Sequence, residues 1–342
     1  MKRHTERTIG WWAVAVFFCG AMLAPPPIQG LELKLAHFMS PMHIQHQESF
    51  LPFAQNVERL SQGRLQIKIF SGGALGGPMQ LPEAVKTGVV DIAFIVPGYS
   101  TGRFPRSSVL DLPFLSDQAA KGARIFYDIY DPHLAADFQD YKVLWIYCSD
   151  PGQLFMATSP VKTVADLKGK KIRSPSAIMS ETLRLLGSHP VSMPISELHS
   201  ALDKKVVDGV LSPTTGIQDF KLDDLIRHTT RLNLFNSLLM VVMNKERFAS
   251  LPEQDRKVLE EASGRHWGLR ASGIYDRLDG EVMANIKASG KVSLDTLAPG
   301  EKEKFQALLS PLENDWVSRQ TAQRLPAAEI LHALRAAAKE NP

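Results

Sequence analysis

Ala84-Val85-Lys86-Thr87-Gly88-Val89-Val90-Asp91 is echoed by Ala201-Leu202-Asp203-Lys204-Lys205-Val206-Val207-Asp208, and the fold is read from this pair. Each stretch reads as the end of a helix, a tight turn and the opening of a buried strand. Each is preceded by a helix that a proline opens, Pro82 in one case and Pro194 in the other. One eight-residue match is weak by itself. With the same element types before and after it, the echo implies two lobes built alike. Leu31 to His37 alternates apolar and polar as a first strand, and Leu65, Ile67 and Ile69 mark a second. Phe50, Phe53, Val57 and Leu60 recur at helical spacing up to a cap at Gly63. Val89 to Val96 is almost unbroken apolar sequence, as in a strand buried on both faces. Strands alternating with helices imply an α/β fold of the two-lobed periplasmic-binding type, each lobe a mainly parallel sheet flanked by helices.

The second lobe is expected to begin after the strand Lys142 to Tyr147, at Ser149-Asp150-Pro151-Gly152. Thr229 to Asn244 reads as one long strand returning to the first lobe. Glu253 to Ser289 reads as a bracing helix interrupted at Gly264 and Gly273, and Pro326 to Lys339 as an amphipathic tail helix. The expected division is residues 31–151 plus 238–277 for lobe 1 and 152–237 plus 278–342 for lobe 2. Strands that cross between lobes act as a hinge.

Residues 1–30 read as a signal peptide. Lys2, Arg3 and Arg7 precede an apolar stretch from Trp11 to Ala24, too short to span a bilayer, and Gly30 supplies a small residue for cleavage. Export to the periplasm is therefore expected, with a mature chain of 312 residues that does not span the membrane. Its net charge falls from +3 to about +1, which argues against a nucleic-acid partner. Only Cys148 remains, so no internal disulfide can form, and a chain of this size is expected to split into two lobes. A monomer is expected.

Arg173 is the leading site candidate. It ends a short strand in Lys170-Lys171-Ile172-Arg173-Ser174-Pro175, where Pro175 stops the strand. Ends of parallel strands are where open α/β sheets bind ligands, and a guanidinium matches a carboxylate bidentately. The alternative is a solvated basic edge with Lys168, Lys170 and Lys171. Tyr99, in the loop after Val89 to Val96, can cover a ligand or simply pack its loop. Asn236 lies near the hinge, either facing the pocket or satisfied structurally. His37, Met39, Met42, His43 and His46 cluster, but their spacing matches no closed metal site, so no metal and no cofactor is expected. His37 and Phe38, following the first strand, are placed in the pocket instead. The loop Ser71 to Gly77 lacks the lysine of a phosphate loop; Gly77 is taken as a close backbone approach to a ligand.

The run Pro160 to Pro175 resembles the signature of the extracytoplasmic solute receptors of tripartite ATP-independent periplasmic (TRAP) transporters, the dicarboxylate-receptor type. Leu75-Gly76, Asp111-Leu112-Pro113-Phe114-Leu115, Ser192-Met193-Pro194-Ile195-Ser196-Glu197, Val206-Val207-Asp208-Gly209 and Met243-Asn244-Lys245 extend it in order. The resemblance implies that Arg173 pairs with a ligand carboxylate and that the ligand is handed to membrane subunits. It implies pocket positions for Val96, Pro175, Met193 and Ile195 as well. Where the family carries an asparagine after the Val-Asp-Gly strand this chain has Ser212. Gln153 stands where some members carry a second arginine. The function implied is a periplasmic receptor for a small organic acid. The alternatives are a ligand-reporting partner of a membrane sensor, or an enzyme on the same scaffold. No Gly-x-Ser-x-Gly elbow, Cys–His signature or His-Glu-x-x-His stands behind the enzyme.

Overall fold

The computed structural model describes residues 30–341, so the expected signal peptide lies outside the described residues except for Gly30. The strands are β1 (Leu31–Ala36), β2 (Leu65–Phe70), β3 (Ile92–Ile95), β4 (Tyr141–Cys148), β5 (Gly152–Met156), β6 (Lys171–Ser174), β7 (His189–Ser192), β8 (Gly209–Pro213), β9 (His228–Thr230), β10 (Leu238–Asn244) and β11 (Ser293–Asp295). They form two sheets, in the orders β2-β1-β3-β10-β4 and β11-β9-β5-β8-β6-β7. Helices flank both.

The echo is structural in detail. Gly88 (φ 77°) and Lys205 (φ 56°) both turn through the left-handed region. Val89 and Val206 are exposed and Val90 and Val207 buried. The two aspartates perform the same task. Asp91 Oδ2 accepts from the Lys34 backbone N–H on β1, and Asp208 Oδ2 from that of Lys171 on β6, each at 2.8 Å. In both lobes the carboxylate thus ties the end of the turn to the neighbouring parallel strand, β1 beside β3 and β6 beside β8.

Both sheets are mixed rather than mainly parallel. β10 runs antiparallel to β3 and β4, and β5 antiparallel to β8 and β9. These are the strands adjoining the interlobe crossings, where the chain passes from one sheet to the other without a helical return. The expected single strand Thr229 to Asn244 is two strands in different sheets. The Gln153 side-chain oxygen takes the backbone N–H groups of Leu232 and Asn233 (2.7 and 2.9 Å), and Asn233 adopts φ 47°, so no ladder continues through residues 231–237. Of the two expected breaks in the bracing helix, only Gly264 (φ 87°) is one; Arg265–Ser289 runs through Gly273 without interruption. The long helix packs on helix Ala119–Ile129 and β4 of the first lobe and on helix Thr214–Asp219 of the second. Asp276 caps helix Ala119–Ile129 from outside, accepting from Ala119 and Ala120 N–H at 2.6 and 2.9 Å. The tail helix Ala327–Glu340 packs on Ala119–Ile129 and on helix Pro311–Ala322. Among the described residues, no helix is long and apolar enough to cross a membrane.

Candidate functional site

The two lobes meet over a cleft beside paired crossing segments. The Ser149 backbone N–H donates to the Ser237 carbonyl and the Ser237 N–H to the Ser149 hydroxyl, while Gly152 exchanges backbone hydrogen bonds with Leu234 and Phe235. Arg173 projects from the end of β6 and is 1% exposed. Its Nε donates to the Met193 carbonyl at 2.9 Å and its Nη1 to that of Leu211 at 2.8 Å. Nη2 lies 3.5 Å from the Tyr99 hydroxyl, with the guanidinium carbon 5.9 Å from the ring centre. Tyr99 comes from the other lobe, in the turn Pro97–Tyr99 after β3, and its oxygen also accepts from Ile195 N–H at 3.2 Å. Burial pushes the guanidinium below its ordinary pKa, and Tyr99 and Glu197 pull it back in part. A guanidinium has five N–H donors. Three are engaged here, one of them weakly, so two remain for a ligand.

Arg173, Tyr99, Phe38, Val96 and Ile195 all line one cavity, which holds about 490 Å³ of empty space with its mouth included. Five of its lining residues are aromatic: Phe38, Phe94, Tyr99, Phe220 and Tyr275. Tyr275 stacks on Tyr147 at 6.3 Å. Arg173 is the single Lys or Arg side chain among the lining residues.

The other expected positions serve the frame. His37 points the opposite way from Phe38, as neighbours leaving a strand do. Its ring packs 5.1 Å from Phe50, and its Nε2 lies 2.8 Å from His46 Nδ1. Gln153 is spent on the return crossing, where its Nε2 also donates to Asn233 Oδ1 at 2.6 Å. Ser212 donates to the Pro213 carbonyl, and Asn236 to that of Ser149. Met193 offers only its carbonyl to Arg173. Pro175 faces Gly98 across the lobe contact, where a Cβ on Gly98 would lie 3.6 Å from the proline carbonyl oxygen. Gly77 is outside the cavity lining; the loop's Gly72 and Gly73 donate to Met39 and His37 carbonyls and brace the turn that presents Phe38.

Sequence reasoning missed Phe94, His43, Asp219, Phe220 and Tyr275. Asp219 and Phe220 follow the end of β8, so a systematic search beyond each strand end reaches them. Tyr275 lies on the long helix and carries no such signal. The histidine–methionine cluster separates: Met42 is exposed, Met39 and His43 line the cavity, and His37 pairs with His46.

Burial and mutual repulsion lower the pKa of His37 and His43 to about 3, and burial lowers that of His46. An unfolded histidine takes its proton near 6.5, whereas these stay neutral in the folded chain well below that. The unfolded state therefore binds more protons, and stability is withdrawn as pH falls from about 6.5 toward about 3. Burial raises Asp111, Asp150 and Asp219 to about 7, which acts in the opposite sense over the same range. Replacing His37 and His46 together by Phe is expected to reduce the loss of thermal midpoint on acidification, relative to the parent. Melting curves at neutral pH and near pH 4.5 check this; an unchanged difference between the two pH values would contradict it.

The sequence matches the family described as bacterial extracellular solute-binding protein, family 7 (DctP), over residues 35–320. A similar solved structure is a TRAP solute-binding protein of Rhodoferax ferrireducens in complex with copurified benzoate. Its TM-score is 0.87 at 28% identity, over 91% of this chain and 98% of that one. Another is a TRAP periplasmic solute-binding protein of Bordetella bronchiseptica with bound (R)- and (S)-mandelate, at TM-score 0.84 and 28% identity, over 91% of this chain and 100% of that one. Among curated relatives, the "Outer membrane transporter protein TsaT" of Comamonas testosteroni is 25% identical over 332 residues, 94% of this chain and 97% of its own length. The family and these structural neighbours are solute-binding proteins rather than enzymes. With the match extending through both lobes, the chain belongs to the DctP family of solute receptors that serve TRAP transporters.

Proposed function

We propose that this chain is an exported receptor, not a catalyst, that captures a small aromatic monocarboxylate between its lobes and presents it to TRAP membrane subunits. The observation that carries the reading is Arg173: a fully buried guanidinium, held by two backbone carbonyls and a tyrosine, with two N–H groups left at the head of an aromatic-walled cavity. A buried charge without a counter-charge is costly, and a ligand carboxylate supplies one. The benzoate and mandelate held by the neighbours of similar fold support the class. With no second Lys or Arg in the lining, a second carboxylate would be buried unpaired. Benzoate and mandelate are therefore expected to raise the melting temperature, as ligands of the native state do, and succinate is not. Stabilisation by succinate equal to that by benzoate would overturn the monocarboxylate reading.

Tyr99 reaches Arg173 and Ile195 across the cleft, so the ligand meets both lobes only when they are closed. That difference in contact is what drives closure. Small-angle scattering is expected to show a smaller radius of gyration with saturating benzoate; an unchanged profile would remove the hinge. Export is expected to remove residues 1–30, leaving Leu31 at the amino terminus. Finding Trp11-Trp12 in membrane-bound protein would contradict that.

A further inference from the structure

Asp219 closes the helix Thr214–Asp219 that follows β8, and it lines the same cavity as Arg173. Facing it from the first lobe is His43, buried, with Nε2 3.1 Å from Asp219 Oδ2. The Gln45 backbone N–H donates to His43 Nδ1 at 3.1 Å. Nδ1 is therefore bare, and the one proton of the neutral ring sits on Nε2. That N–H lies off the line of a good hydrogen bond, and Asp219 Oδ2 is left buried without a partner. A carboxylate has about four acceptor sites. The Ile44 backbone N–H is the one other group that counters the burial of this carboxyl. Asp219 thus brings unused acceptor capacity, and no donor when ionised, to a cavity with aromatic walls.

We propose that Asp219, backed by His43, forms a second polar pole that selects, among aromatic monocarboxylates, those bearing a hydrogen-bond donor on the ring, a hydroxyl or an amino group. This rests on the aromatic-carboxylate reading above and adds to it. An acceptor-only substituent of similar size leaves Asp219 unpaired, so it is penalised. Discrimination against such an analogue is expected to be about ten- to a hundredfold, the range for hydrogen bonds to charged groups.

Isothermal titration in mildly alkaline buffer, where Asp219 is ionised, tests this with benzoate, the meta- and para-hydroxybenzoates and their methyl ethers. At least one hydroxy acid is expected to bind about ten- to a hundredfold more tightly than its ether. In Asp219→Leu that ratio is expected to fall toward one while benzoate is still bound. Equal affinities of both hydroxy acids and their ethers in the parent protein overturn the proposal, whatever the variant does. So does a folded Asp219→Leu protein that keeps the ratio, or one that loses benzoate as fully as the hydroxy acid. Should Asp219→Leu fail to fold, Asp219→Asn must show a reduced ratio for the proposal to stand. Binding of no aromatic acid at all overturns the broader reading; benzoate binding without discrimination overturns this inference alone.

Discussion

Arg173→Ala is expected to weaken binding of a benzoate-type ligand at least about a hundredfold. Two charge-assisted hydrogen bonds at about 1.5–3 kcal/mol each are lost, and each 1.4 kcal/mol is tenfold. Arg173→Lys keeps the charge but loses the planar fork. Its three N–H groups cannot serve the Met193 and Leu211 carbonyls and also hold a carboxylate bidentately, so it is expected to lose at least about tenfold. Ligand-free stability is expected to change much less than affinity in Arg173→Ala. The variant orphans two carbonyls, yet it also removes a buried charge that has no acidic partner at contact distance. Isothermal titration together with ligand-free melting separates the roles. Normal affinity in a folded Arg173→Ala protein would remove the basis of the proposed function, while collapse of the fold in both variants would make the arginine a structural pin.

Opposite outcomes are expected from two glycine-to-alanine changes on the same helix. A Cβ on Gly268 would sit 2.0 Å from the Ile146 carbonyl oxygen and 2.4 Å from the Tyr127 hydroxyl. Neither neighbour can step aside. Ile146 lies within β4, and the Tyr127 hydroxyl donates to its carbonyl and accepts from its N–H, both at 2.9 Å. Alanine gains about 1 kcal/mol of helix propensity over glycine. Forcing the long helix off the sheet is expected to cost more than that, for a net loss of about 2 kcal/mol or more. At Gly273, five residues on, nothing lies within 4 Å of the new Cβ, so only the propensity gain of up to about 1 kcal/mol remains. Urea midpoints of the two variants check the pair. A Gly268→Ala protein as stable as the parent would mean that the helix does not bear on the sheet as described. Because this helix packs on both lobes, the same variant is also expected to disturb closure.

Much of the chain's order was legible beforehand because periodicity records burial. The strand and helix sequence, the two-lobe echo and the break at Gly264 all follow from which residues avoid water and which turns admit a positive φ. The return crossing was misread because Leu232, Leu234 and Phe235 continue the strand-like pattern, although the Leu232 and Asn233 N–H groups go to the Gln153 side chain and not to a ladder. Gln153, Ser212 and Asn236, pocket candidates in the sequence, each hydrogen-bond within the protein, to Asn233 Oδ1, the Pro213 carbonyl and the Ser149 carbonyl, because local sequence does not state whether a polar group near the cleft meets the protein or a ligand.

By itself the sequence determined the class of fold, the repetition of a turn ending in Asp91 and Asp208, and an arginine at the end of a short strand. These are local matters, set by side chains a few residues apart. Only the tertiary structure decided that Phe38 and not His37 faces the cavity, and that Tyr99 reaches across to Arg173. It alone brought His43, Asp219 and Tyr275 together from three distant segments. Burial patterns state that a residue leaves water; they do not state which partner it meets, because that depends on contacts between segments hundreds of residues apart.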